Sequence, residues 1–284
     1  MGNKILVTGG SGFIGTKLVE SLRALGNEVS TFSTAQGKDI RNISQVREAI
    51  QHKDTVFHLA AIVNLNKLKE NPTEAMEINI QGTWNIAEAC SRYKAKLYYA
   101  STCGVYGNQK QYPITEEAPP NPTEIYTCSK LAGENVIEGF HHTYGLEYII
   151  MRFATIYGEG ARPATGIHTL FRQALRNEPI TIHGDGKQTR TLTYIDDLIS
   201  GIIALYKSGK TNGVWNLTTK EEISANQMVK DIKQLTGSKS KVIHTDQRIG
   251  QIYKQQISAQ KILKDTGWQA KTRWNKGIKN LHNT

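Results

Sequence analysis

A short apolar run, Lys4-Ile5-Leu6-Val7, passes directly into Thr8-Gly9-Gly10-Ser11-Gly12-Phe13-Ile14-Gly15 and then into an amphipathic stretch reaching residue 25. Glycines at 9, 12 and 15 lie between a strand pattern and a helix pattern. That context permits a tight turn, close approach of a phosphate to backbone N–H groups, and close packing of helix on strand. Residues 28–33 read as a second strand, so the segment is a βαβ unit with a right-handed crossover. The alternation continues, with strands expected at 55–59, 97–101 and 147–153 and helices at 43–51, 74–92 and 126–143. Strands separated by helical patterns require a parallel sheet covered on both faces, which makes the expected fold α/β and doubly wound, of Rossmann type.

From about residue 157 the texture changes. Gly158-Glu159-Gly160-Ala161-Arg162-Pro163 and His183-Gly184-Asp185-Gly186 bracket one helix, and 195–205 returns as another. We expect residues 1–157, with a return segment near 190–211, to form the dinucleotide-binding domain. Residues 158–189 and 212–284 form a smaller, discontinuous substrate-binding region.

Charge narrows the partners. There are 35 Lys and Arg against 25 Asp and Glu, a formal net charge of +10. No block of five or six like charges and no nucleic-acid module is present, so the expectation is no nucleic acid. A solvated basic surface explains the excess, and it would also attract a phosphorylated cofactor or a sugar diphosphate. No apolar run approaches the ~20 residues of a membrane span, and the start lacks signal-peptide character. Cys90, Cys103 and Cys128 are odd in number and without metal-ligand spacing, which argues for a reduced, cytoplasmic compartment with no disulfide and no metal.

The glycine turn assigns Gly9, Gly12, Phe13, Ile14 and Gly15 to dinucleotide binding. An acidic residue at the end of the second strand would bind the ribose hydroxyls of NAD. This chain has Phe32-Ser33-Thr34 there, with Lys38 nearby, and hydroxyls and a lysine accommodate the 2′-phosphate of NADP. The expectation is NADP over NAD, unless Ser33 merely ends a strand. Asp39-Ile40 is placed to meet the adenine, although Asp39 also suits the cap region of the next helix.

Tyr126 and Lys130 in Tyr126-Thr127-Cys128-Ser129-Lys130 share one helical face. An ammonium near a phenol favours the phenolate and lowers its pKa, giving a proton donor and acceptor. A solvated surface pair is the bland alternative.

With these residues in place, the chain resembles extended short-chain dehydrogenases/reductases of the nucleotide-sugar epimerase, dehydratase and ketoreductase type. The resemblance extends to Asp39-Ile40-Arg41, His58-Leu59-Ala60-Ala61, Asn79-Ile80-Gln81-Gly82-Thr83 and Ser101-Thr102-Cys103-Gly104-Val105-Tyr106-Gly107. It continues through Arg152, Ile156-Tyr157-Gly158, Gly184-Asp185-Gly186-Lys187-Gln188-Thr189-Arg190, Asp196-Asp197, Arg248 and Gly267-Trp268. It implies that Tyr126 exchanges a proton with the substrate oxygen, that Lys130 holds the nicotinamide ribose, and that Thr102 hydrogen-bonds the reacting oxygen. Leu59, Ala60, Ala61 and Asn79 would build the dinucleotide cleft, and Arg190 and Arg248 would grip substrate phosphates. Asp196-Asp197 opens a helix and is assigned no chemistry.

Departures narrow the reaction. Family dehydratases carry Asp-Glu directly after the catalytic threonine, and Cys103-Gly104 stands there instead, so dehydration is not expected. Cys103 joins the substrate-binding candidates, with a buried inert thiol as the alternative. Ala154 replaces a family asparagine, which removes one contact to a sugar diphosphate. An NADPH-dependent 4-ketoreductase is the leading expectation, a 4-epimerase with tightly bound NAD the next, and a non-catalytic dinucleotide sensor the third. Retention of Thr102, Tyr126 and Lys130 argues against the sensor. Family members pair through two helices each, so 74–92 and 126–143 are candidate contacts of a homodimer.

Overall fold

The computed structural model describes residues 2–161 and 166–282. Arg162 and Pro163 of the glycine-rich loop lie outside the described residues. In chain order the elements are β1 (Lys4–Thr8), α1 (Phe13–Ala24), β2 (Glu28–Phe32), α2 (Ile43–Ile50), β3 (Thr55–His58), α3 (Leu65–Glu70), α4 (Pro72–Met76), α5 (Gly82–Tyr93), β4 (Lys96–Thr102), α6 (Ile125–Tyr144) and β5 (Tyr148–Phe153). There follow β6 (Thr155–Tyr157), α7 (Gly166–Leu175), β7 (Ile180–His183), β8 (Thr189–Tyr194), α8 (Ile195–Lys207), β9 (Gly213–Leu217), β10 (Glu222–Ser224), α9 (Ala225–Thr236), β11 (Val242–Thr245), α10 (Gln260–Thr266) and α11 (Trp274–His282). No described helix is long and apolar enough to cross a membrane.

The chain divides into two compact units. The first takes residues 1–105, 122–152 and 202–215. Its six-stranded sheet has the order β2-β1-β3-β4-β5-β9, and β1 pairs in parallel with both β2 and β3, as β3 does with β4. Between β2 and β3 the chain crosses to the other side of β1, so the strand order reverses between β1 and β3. Open α/β sheets bind ligands in the crevice at such a point, beyond the carboxyl ends of the strands.

Side chains alternate across the strands. One face of the sheet sends Leu6, Val56, Leu97, Tyr99 and Ile150 into a core shared with Val46 and Ile50 of α2, Ile86 and Cys90 of α5, and Ile137 and Phe140 of α6. Phe57 and Tyr98 point the other way, stack on each other at 4.6 Å, and meet the ring of Tyr206 from α8. The sheet is therefore buried on both faces, which explains the near-continuous apolar strands.

The helix expected at 74–92 is not uniform. Between α4 and α5, residues Glu77–Gln81 form a π-helical turn. Two features account for it: the Asn79 side chain bonds the backbone of Ile62, and Gly82 lies where a Cβ would come within 2.5 Å of Ile40 Cδ1.

The second unit takes residues 106–121, 153–201 and 216–284. Thus 106–121, read from the sequence as part of the first domain, groups here. In it β8 pairs antiparallel with β10 and parallel with β6, while β7 pairs parallel with β11. Asp197, at the start of α8, is buried and accepts N–H bonds from Lys271 (3.1 Å) and Thr272 (2.7 Å).

Candidate active site

The turn after β1 is built by missing side chains. Gly9 has φ +69°, and a Cβ there would come within 2.9 Å of Ala60 N; a Cβ on Gly15 would sit 2.2 Å from Gly9 O. α1 begins after Gly12 without any side-chain cap. Its first N–H groups are the donors a helix leaves for an anion, and they face a cradle that any Cβ would fill. The glycine turn thus fits a dinucleotide pyrophosphate, with Phe13, Ile14 and Gly15 in the first turn of α1. Gly9 N–H donates to Phe32 O at 2.9 Å, which draws the end of β2 alongside.

The end of β2 differs from the sequence expectation. Ser33 is buried, its carbonyl accepts from the N–H groups of Gln36 and Lys38, and its hydroxyl lies 3.4 Å from Gln36 Oε1. Thr34 and Lys38 are exposed, with Lys38 Nζ 5.7 Å from the Phe32 ring centre. Asp39 is clasped by Arg41 at 2.6–3.1 Å, which holds its carboxyl below the usual range, mainly through that hydrogen bond. Asn42, not Asp39, caps α2 by accepting from Ser44 and Gln45 N–H. The Ile40 side chain packs in the core on Gly82 instead of lying open to an adenine.

A continuous line of hydrogen bonds joins the glycine turn to the helix of Tyr126. Thr8 Oγ1 accepts from Ala60 N–H (3.3 Å) and so donates to His58 Nδ1 (2.7 Å). Thr83 Oγ1 donates to Asn79 O (2.7 Å), so toward His58 Nε2 at 3.1 Å it accepts. Both partners are satisfied by a neutral imidazole protonated on Nε2. Burial, with the field of Lys130 second, pushes His58 down to about 3, in agreement with that tautomer. Asn79 Nδ2 then donates to Ser129 Oγ (3.0 Å), which donates to Tyr126 O (2.8 Å). Leu59, whose N–H donates to Thr8 O, and half-buried Ala60 and Ala61 line the same strand end.

Around Tyr126 the chemistry is concentrated. Thr102 ends β4, and Gly104, donating its N–H to Thr102 Oγ1 at 3.1 Å, lies where a Cβ would touch both that oxygen and Thr127. Thr102 is therefore against the first turn of α6. Lys130, one turn beyond Tyr126, is 3% exposed, with Nζ 4.0 Å from the centre of the Tyr99 ring. Tyr99 in turn donates to Lys130 O at 3.3 Å.

The bland surface-pair alternative fails on burial, but the expected acid-strengthening of the phenol is not found either. Although Tyr126 is only partly exposed, desolvation pushes its phenol up to about 12. Desolvation also pushes Lys130 down to about 7, with Glu134 opposing. Lys130 directs its ammonium onto Tyr99, and burial outweighs any help it gives the phenol.

Cys103 is buried, and its thiol donates to Arg152 O at 3.3 Å. In the second unit, Arg190 Nη1 donates to Thr189 O (2.7 Å) and Ile252 O (2.8 Å), and Arg248 is exposed in the turn just before Ile252. Among residues near Tyr126, sequence reasoning missed Thr8, Tyr99 and Glu134. A usable signal was the spacing of Glu134, four after Lys130 on the same helical face.

Residues 5–218 match the model of the NAD dependent epimerase/dehydratase family. The chain belongs to that family. A putative UDP-glucose 4-epimerase of Methanocaldococcus jannaschii is 34% identical over 98% of this chain and 97% of its own. The UDP-N-acetyl-alpha-D-glucosaminuronate decarboxylase of Bacillus cytotoxicus is 33% identical over 86% and 84%. Among solved structures, the UDP-glucuronic acid 4-epimerase of Bacillus cereus, in complex with UDP-glucuronic acid and NAD, superposes with a TM-score of 0.91 at 27% identity, over 99% of this chain and 98% of that one. For a member of an NAD dependent family, the uncapped α1 terminus and the glycine cradle are the features that suit the cofactor.

Proposed function

We propose that this family member is a nucleotide-sugar 4-epimerase working with NAD. Gly9, Gly12 and the first turn of α1 would hold the dinucleotide, and Arg190 and Arg248 would grip the sugar diphosphate. The observation that carries the reading is the grouping of one phenol, one hydroxyl and one ammonium (Tyr126, Thr102, Lys130) beside the glycine turn, with no further acid or base at 103–104. Cys103 spends its thiol on a backbone carbonyl and Gly104 has none to offer. Such a set can move one proton on and off one oxygen, which reversible oxidation at a sugar carbon requires and elimination of water exceeds.

Bound NAD would supply the hydride acceptor and donor. Tyr126 takes the proton of the C4 hydroxyl as that carbon becomes a ketone and gives it back afterwards. Thr102 holds the oxygen in place throughout, and Lys130 would hold the nicotinamide ribose. The names of the relatives support epimerisation and NAD over the NADPH-dependent 4-ketoreductase expected from Ser33. The reductase stays as the second reading because Thr34 and Lys38 are exposed at the end of β2 with no carboxylate at Ser33. Trp84 on α5 and Tyr144 on α6, 53% and 60% exposed, support the homodimer through these helices.

The test is the protein as purified. Retained nicotinamide, together with interconversion of C4 epimers of a UDP-sugar without net change at 340 nm, supports the epimerase. Steady loss of 340 nm absorbance with a keto-sugar nucleotide replaces it by the reductase.

A further inference from the structure

An ammonium in a closed interior needs compensation, because burial favours its neutral form. From β3, Lys130 is faced by His58, which is neutral and has both ring nitrogens engaged. From β4 it is faced by the Tyr99 ring, an attractive but uncharged surface. The polar groups of the π turn and α5 on that side, Asn79 and Thr83, are uncharged, and the acids of those elements, Glu77 and Glu88, pair outward with Arg41 and with Arg47 and Arg92. Its own helix offers Tyr126 one turn before and Glu134 one turn after.

Glu134 is 2% exposed and is fixed from two strands. Arg152 of β5 donates Nε to Oε1 at 3.0 Å and Nη2 to Oε2 at 2.5 Å, and Ser101 of β4, the residue before Thr102, donates its hydroxyl to Oε1. A carboxylate with donors on both oxygens is fixed in place. One buried anion thus serves two cations, Arg152 by contact and Lys130 at the i,i+4 distance along α6.

We propose that Glu134 is a positioning residue: pinned by Arg152 and Ser101 one turn beyond Lys130, its carboxylate keeps the Lys130 ammonium charged inside the site. The inference rests on the roles given above to Tyr126 and Lys130. Removing the anion takes away the carboxylate one turn from Lys130 on its own helix, so the ammonium loses its proton at lower pH.

The full chain, labelled with 15N-lysine, allows the Lys130 Nζ signal to be assigned by its loss in Lys130→Met and followed against pH. The midpoint expected for the native chain is about 7. Glu134→Gln lowers that midpoint by about one unit or more, Glu134→Asp brings it back toward the native value, and the acid limb of turnover in Glu134→Gln moves to higher pH. A midpoint in Glu134→Gln within about 0.3 unit of native, with only a fall in melting temperature, overturns the proposal and leaves Glu134 a structural brace. If Glu134→Gln does not fold, Arg152→Met is compared with Arg152→Met carrying Glu134→Leu, so that only the anion differs; a lower midpoint in the double variant supports the proposal and an equal one overturns it. Because the Nζ titration needs no substrate, a shifted midpoint in a protein without epimerase activity removes the functional reading alone.

Discussion

Two glycines on α6 give a paired test of how the site is built. Gly133 is buried, and a Cβ there would lie 2.2 Å from Tyr99 Oη and 2.8 Å from Tyr99 Cζ. The nearer contact is more than about 1 Å short of ordinary separation, and the rigid Tyr99 ring lies in the core with its hydroxyl on Lys130 O. Gly133→Ala therefore overpacks the core at about 1–3 kcal/mol. It also displaces the ring from its hydrogen bond, about 1 kcal/mol, and from its ammonium contact, about 1–2 kcal/mol. The gain in helix propensity offsets about 1 kcal/mol, leaving a net loss of about 2–5 kcal/mol. At roughly 2–4 °C per kcal/mol for a chain of this size, the melting temperature falls by roughly 4–20 °C. Gly139, on the exposed side of the same helix, has nothing within 4 Å of an added Cβ. There propensity acts alone, so Gly139→Ala raises stability by about 0.5–1 kcal/mol. Calorimetric melts of the two variants decide the matter: a Gly133→Ala protein melting at or above the native temperature refutes the account of Tyr99 as a wedged shelf beneath Lys130.

Three further outcomes are expected. Tyr126→Phe lowers turnover by about 10²–10⁴ while dinucleotide retention stays unchanged; turnover kept within tenfold of native would remove Tyr126 as the acid and base. His58 has a folded-state pKa depressed from 6.5 to about 3, so the unfolded chain binds the extra proton and stability is lost as pH falls from 6.5 toward 3. By pH 5 this amounts to up to about 2 kcal/mol, read as a falling urea midpoint that His58→Asn should flatten and that would acquit His58 if the slope were unaltered. Ser33→Asp keeps NAD and weakens NADP by about tenfold or more through repulsion of the 2′-phosphate; undiminished NADP in a two-dinucleotide titration would show that β2 does not end at the adenosine ribose.

Much of this molecule is legible in one dimension. The strands at 4–8, 28–32 and 148–153 and the helices at 13–24 and 125–144 follow their hydrophobic period within a residue or two, because each buries one stripe or both faces of a regular element. Tyr126 and Lys130 fall on one face for the same reason. What a sequence leaves open is where single side chains spend their polar atoms. Ser33 closes a turn with Gln36, and the Cys103 thiol donates to Arg152 O, the buried arrangement that stands beside substrate contact as the alternative for that residue. The carbonyl that Cys103 meets is on β5, 49 positions away, and no local pattern specifies it.

The sequence by itself determined the βαβ start, the glycine cradle and the four-residue spacing of phenol and amine, since these depend on backbone sterics and helical period. Only the tertiary structure decided what those groups can do. The π turn at Asn79, the neutral tautomer of His58, the seat of Lys130 on Tyr99 and the anchoring of Glu134 by Arg152 all join residues 17 to 50 positions apart. Desolvation and hydrogen-bond closure depend on which distant side chains meet and how much water they exclude, and no local pattern encodes either.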